Sequence, residues 1–208
     1  MITGKSLHNS NTVFVMQQGS FVVPENGEFS IIYTGAEAEG MHFIDDPAMQ
    51  VKLLTVPKLG VTVTLDGGKL KIDDIKKRDF GENNIVKESI RAFNSLFPDK
   101  DIVGFGFNMD IYYRFDNAIP IELLTDNFVD KKLPGSREIT DFGFQFSARN
   151  EKSGRFERYF FKIAAPLELI AHVNHHYTER SVPKEERLKE LFAACYNETD
   201  EVIEALNF

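Results

Sequence analysis

Apolar and polar residues recur with two different periods along this 208-residue chain, and the changes of period divide it into strands and helices. The longest alternation places Val103, Phe105, Phe107, Met109, Ile111, Tyr113 and Phe115 on one face of a strand. Gly104, Gly106, Asn108, Asp110, Tyr112 and Arg114 fill the other face. One apolar face and one polar or small face predict an antiparallel sheet that is covered on one side. Phe142, Phe144 and Phe146 repeat the pattern, as do Tyr159, Phe161 and Ile163, and the turn at 150–154 makes these a hairpin. A second hairpin reads from Val61, Val63 and Leu65 through Asp66-Gly67-Gly68 to Leu70 and Ile72, the glycines supplying positive φ at the turn.

Helical spacing appears twice. Val86, Ile90, Phe93 and Phe97 fall on one stripe, with Asn83 or Asn84 to cap it and Pro98 to end it, so the spacing predicts a helix over about 84–97. Leu188, Leu191, Phe192, Cys195, Thr199, Val202, Ile203 and Leu206 form a longer stripe over about 183–206, with Ser181 as a cap and Glu185 and Glu186 at the positive end of the dipole. Elsewhere the pattern is less regular. Val13 and Val15, then Phe21 and Val23, then Phe29, Ile31 and Tyr33 read as short strands, and residues 34–50 as a long loop. The segment Leu167–Tyr177 alternates like a strand, although Ala165-Pro166 equally permits a helix to open there.

These elements predict a single α+β domain over 1–208, built on a strongly twisted, mainly antiparallel sheet with one inserted helix and a long C-terminal helix. Residues 1–50 read as an N-terminal extension of the sheet plus a long loop.

Composition narrows the function. With 24 Lys+Arg against 32 Asp+Glu, the net charge of −8 argues against nucleic acid and anionic membranes as partners. The one basic cluster, Lys69 to Arg78, is interleaved with Asp73, Asp74 and Asp79 and reads as a solvated surface. The opening residues lack the pattern of a secretory signal and no 18-residue apolar run exists, which places the chain in the cytoplasm. A single Cys195 leaves no disulfide, and on an apolar stripe it reads as a buried thiol.

Nineteen Phe and no Trp stand out. Phenylalanine has no polar handle, so this number fills a core or walls a dry groove. Phe105, Phe107, Phe142, Phe144 and Phe146 are the groove candidates, and the occupant would be an apolar peptide or a small apolar ligand, held in an open groove or inside a barrel. The alternative chemistry is a metal-assisted hydrolase built on Ala171-His172-Val173-Asn174-His175-His176. On a helix, Glu168, His172 and His176 would share one stripe and could meet a metal. On a strand, His172 and His176 lie about 13 Å apart and would need a further ligand such as His8 or His42. Asp110, beside Asn108 and Tyr112 on the polar face of its strand, is a weaker catalytic candidate. Phosphate-binding loops and nucleophile elbows are absent, so the reading is of a binding module more than an enzyme, with no cofactor. The long C-terminal stripe, added to more than one Phe-bearing face, predicts a homo-oligomer.

The order strands, hairpin, helix, long strand, strands and terminal helix resembles an uncharacterised, sporadically distributed bacterial family with a fold similar to the SecB export chaperone. The segments that carry the resemblance are Gly60-Val61-Thr62-Val63-Thr64, the helix ending in Phe97, Val103-Gly104-Phe105-Gly106-Phe107 and the closing helix, spanning about residues 50 to 206. The resemblance implies a SecB-like sheet and a chaperone-like role. Tyr112-Tyr113-Arg114 stands where an Arg-Tyr-x-Asn pattern would be expected, so no site residue is carried over.

Overall fold

The computed structural model describes residues 2–117 and 142–205, apart from 18, 20, 99 and 152. Its frame is a nine-stranded sheet in which all eight pairings are antiparallel. The strands are β1 (Ile2–Met16), β2 (His42–Asp46), β3 (Val51–Val56), β4 (Val61–Asp66), β5 (Lys69–Asp74), β6 (Ile102–Phe115), β7 (Gly143–Arg149), β8 (Phe156–Ala165) and β9 (Glu168–Tyr177). Their order is β2-β3-β4-β5-β1-β6-β9-β8-β7. Among the described residues three α-helices accompany them: α1 (Asn26–Ser30), α2 (Ile85–Leu96) and α3 (Glu185–Ala205).

The α+β antiparallel architecture follows from the alternation. On β6, Phe105, Phe107, Met109, Ile111 and Tyr113 are buried while Asn108, Asp110 and Tyr112 on the reverse face keep partial contact with solvent. Val103 departs from the pattern and is 43% exposed near the start of the strand. Gly67 and Gly68 take φ of 51° and 85°, which lets a two-residue turn set Asp66 against Lys69. The ambiguous 168–177 segment is a strand, because Leu169, Ala171, Val173, His175 and Tyr177 all face the core.

The helices lie on one face of the sheet. Phe93 of α2 meets Phe14 of β1 with ring centroids 5.0 Å apart, Phe192 of α3 meets Phe107 at 5.4 Å, and Phe29 of α1 meets Phe43 of β2 at 5.4 Å. Asn84 precedes α2, and the Asn83 side chain accepts from the Ile85 amide. At α3 the first amide bond runs from Leu188 to the Lys184 carbonyl, so Ser181 lies upstream of the cap position. Leu188, Leu191, Phe192, Cys195 and Ile203 are buried against the chain's own sheet and α2. At about 1.5–3 kcal/mol for each large apolar side chain buried, this stripe is a major part of the core. Its end, Leu206, lies outside the described residues. No helix among the described residues is long and apolar enough to cross a membrane.

Three expectations need correction. β1 is one 15-residue strand at the centre of the sheet, between β5 and β6, rather than the short strand read from Val13 and Val15. Residues 26–30 are helical: Phe29, Ile32 and Tyr33 are buried at the i, i+3, i+4 spacing of a helix, whereas Ile31 is 67% exposed. The Glu25 amide donates to Glu28 Oε2 at 2.6 Å, a reciprocal cap that starts the turn. Residues 34–50 contain a 3-10 turn (Gly35–Ala38) and β2, whose five residues lengthen the sheet beyond β3.

Candidate functional site

The face opposite the helices carries no helix among the described residues, and its side chains form rows across the strands. One row crosses the whole sheet: His42, Thr55, Thr62, Asp73, Asn11, Asn108, Asn174, Arg158 and Ser147 stand opposite one another from β2 to β7. Every member is polar, and every member is half-buried or exposed. Asn174 Nδ2 donates to Asn108 Oδ1 at 2.6 Å, and Asn108 Nδ2 donates to Asn11 Oδ1 at 2.6 Å. This chain of amides fixes three side chains in one orientation and leaves the remaining donors and acceptors facing outward.

A second polar cluster borders the row. Asp110 lies opposite Asn9 on one side and His172 on the other. His172 Nδ1 stands 2.6 Å from Asp110 Oδ1, and Asn9 Nδ2 donates to Asp110 Oδ2 at 3.2 Å. A carboxylate only accepts, so Nδ1 carries the hydrogen, and in the neutral ring Nε2 is the atom with the lone pair. The His172 side chain is 42% exposed, so in its neutral form the ring offers Nε2 as an acceptor, as a general base or a ligand-binding ring requires. Aromatic rings flank the pair. Phe160 stacks on His172 with centroids 5.4 Å apart, and His8, in a bulge of β1, stacks on Tyr112 at 3.9 Å. A depression of about 510 Å³ opens on this face, with Asn9, Thr62, Asp73, Asp110 and Tyr112 in its wall.

Polar groups on the helical face are arranged differently, because they are buried and paired. Arg155 Nε donates to Glu157 Oε1 at 2.7 Å, and its other nitrogens reach Glu198 of α3 and the Tyr177 hydroxyl. Tyr159 Oη donates to Glu157 Oε2 at 3.0 Å and stands 2.9 Å from His175 Nε2. Burial pushes the Glu157 carboxyl up, but its bond to Arg155 and the charges around it outweigh burial and hold it below the usual range. Burial, aided by the Arg155 charge, pushes His175 down to about 4. Burial raises the Cys195 thiol, which keeps it protonated and inert. Lys5 lies under α3, where its Nζ sits 2.7 Å from Asp200 and 3.6 Å from the Tyr196 ring centre; burial lowers its pKa against the opposing pull of Asp200.

The Phe-rich groove read from the sequence is resolved into two parts. Phe105 and Phe107 are fully buried, Phe105 stacked on Tyr177 and Phe107 meeting Phe192 of α3 edge-on, so packed rings fill the space a groove would need. Phe142, Phe144 and Phe146 are half-buried at the β7 end of the sheet, where Phe144 packs on Phe161 and Phe146 on Tyr159. Glu168, His172 and His176 share the helix-free face of β9, but at four-residue spacing on a strand each stands about 13 Å from the next, and they do not converge. Glu168 is paired with Arg114 at 2.8 Å and His172 with Asp110. Among the described residues no three His, Cys, Asp or Glu side chains are grouped closely enough to hold one metal ion. In the basic cluster, Lys71 pairs with Asp73 at 3.1 Å and Arg78 with Asp74 at 2.7 Å.

Asp110 and His172 are each visible in the sequence, but their contact is not. The amides Asn11 and Asn174 carry no motif at all. The available signal was that Asn108 and Asp110 alternate on the polar face of the longest strand. No protein-family model and no curated protein matches this chain.

Proposed function

We propose that this protein is a binding module and that the helix-free face of its sheet recognises a polar ligand. The observation that carries this reading is the uninterrupted polar row from His42 to Ser147, locked at its centre by the Asn11–Asn108–Asn174 amide chain. A face that only needs hydration is well served by long Lys and Glu side chains. Ordering such chains on binding costs up to about 2 kcal/mol each in rotamer entropy. Here the central positions hold Thr, Asn and Asp, which are short, and the amides are already ordered by one another. Binding then loses little side-chain freedom, which is the advantage of a preorganised surface.

The apolar groove has less support as the binding surface, since Phe105 and Phe107 are already fully buried, Phe107 against Phe192 of α3. NMR titration with a panel of polar fragments (monosaccharides, amino acids, small carboxylates) tests the proposal. The side-chain amide resonances of Asn11, Asn108 and Asn174 should move first. Shifts confined to residues on the helical side would overturn it.

A further inference from the structure

We propose that the ligand of this face is an uncharged, linear, polyhydroxylated chain, a neutral polysaccharide segment, lying across the strands along the His42-to-Ser147 row. This rests on the reading of the face as a binding surface. Direction and length come first. The row crosses nine strands, and eight steps of about 4.8 Å give a span of about 38 Å. A small ligand would use one or two steps of such a row. A polymer that repeats its hydroxyls at regular intervals can use most of them.

Charge comes second. The row holds one acid, Asp73, whose charge is met by Lys71 at 3.1 Å, and one constant base, Arg158. Neither sign dominates, and the chain as a whole carries −8. A polyanion would meet Asp73 and the neighbouring Asp110, and the net acidity would slow its approach. A neutral polymer faces no such repulsion.

The borders of the row supply the third argument. A sugar ring carries hydroxyls round its edge and C–H groups on its faces, so it suits a polar floor bordered by a few apolar and aromatic side chains set among polar ones. The row on one side runs Ile44, Leu53, Thr64, Lys71, Val13, Gly106, His176, Phe156 and Arg149, so apolar side chains alternate there with polar and charged ones. Phe156 is 50% exposed there. On the other side the row Asn9, Asp110, His172, Phe160 and Gln145 is polar apart from Phe160, whose ring stacks on His172. The floor offers amides, hydroxyls and a guanidinium, which donate and accept in the paired fashion that vicinal hydroxyls match.

The test is calorimetric titration with soluble dextran, galactomannan and xyloglucan, with oligomers of graded length cut from each, and with polyphosphate and heparin as charged controls. At least one neutral polymer should bind, and affinity should rise with oligomer length until the extended oligomer reaches about 38 Å. The double variant Asn108→Ala, Asn174→Ala should weaken binding roughly tenfold or more, as expected for the loss of one or two hydrogen bonds. Should that variant not fold, the exposed pair Arg158→Ala, Ser147→Ala carries the same expectation, while Lys189→Ala on α3 should bind as the parent does. Binding of a neutral polymer that ignores both row variants overturns the inference. So does binding that saturates with a monosaccharide, or binding of the charged controls alone; if these still shift the row amides, the binding-face reading stands without a polysaccharide. If neither polymers nor fragments shift them, both fall together.

Discussion

Acidification should destabilise this protein through His175. The imidazole is fully buried on the helical face of β9. Because the Tyr159 hydroxyl donates to Glu157, its oxygen accepts the hydrogen on His175 Nε2, which leaves the lone pair on Nδ1. That atom has no hydrogen-bond partner. Protonation would therefore create a buried N–H donor without an acceptor, in the same network as the Arg155 charge. Burial first, and then Arg155, depress the pKa from an ordinary 6.5 to about 4. A group whose folded pKa is depressed contributes fully above its unfolded value and loses that contribution as pH falls. The window thus runs from about pH 6.5 down to about 4, and the difference between these two values corresponds to about 3 kcal/mol. Glu157 is also held low, so its own contribution is lost as pH falls below the ordinary carboxylate value of 4.5, adding to the acid destabilisation from the bottom of this window downward. Urea unfolding at intervals between pH 8 and pH 4.5, on the parent and on His175→Gln, isolates the effect, since Gln still offers an N–H to Tyr159 but does not titrate. The parent should lose about 2–3 kcal/mol more than the variant across the window. The His175 ring resonances should show a neutral imidazole at pH 5. Parallel stability curves, or a His175 midpoint near 6.5, would refute the reasoning.

Further outcomes follow from the same packing. Arg155→Met should cost about 3–5 kcal/mol, because it leaves Glu157 charged and unpaired in a site where their side chains are only 4% and 9% exposed; thermal unfolding should show a loss of about 10 °C, partly recovered by adding Glu157→Gln. Gly106→Val should lower the melting temperature by several degrees, since a Cβ there would meet the His175 carbonyl oxygen at 2.7 Å and backbone cannot rotate aside. Leu191→Asp should unfold the chain at every concentration, with at least about 3 kcal/mol lost, because Leu191 faces the protein's own core; light scattering that finds a folded, dissociated protomer would place this residue at an interface instead.

Much of the architecture is determined by local sequence. The period-2 runs of β6, β7, β8 and β9 and the stripes of α2 and α3 are visible because half of each strand or one side of each helix must be buried, and that demand is written in neighbouring residues. The hairpin turn at Gly67-Gly68 is equally local, since few residues other than glycine accept its dihedral angles. The misreadings have local causes too. Phe29, Ile31 and Tyr33 mimic a strand, and only the burial of Ile32 in place of Ile31 reveals the helical turn.

Tertiary structure decided what lies beside what. β1 pairs with β6 across about a hundred residues of sequence, and β6 pairs with β9 across about sixty, so no local pattern states that Asn11, Asn108 and Asn174 will stand in line. The same pairings set Asp110 against His172, two residues that read separately as an exposed carboxylate and a histidine run. Alternation specifies which face a side chain takes, because successive residues of a strand point to opposite sides. Register specifies its neighbour, and in this protein register is fixed by the fit of Phe, Leu and Ile on the helical face. The candidate binding row on the reverse face is thus aligned by a core it does not touch.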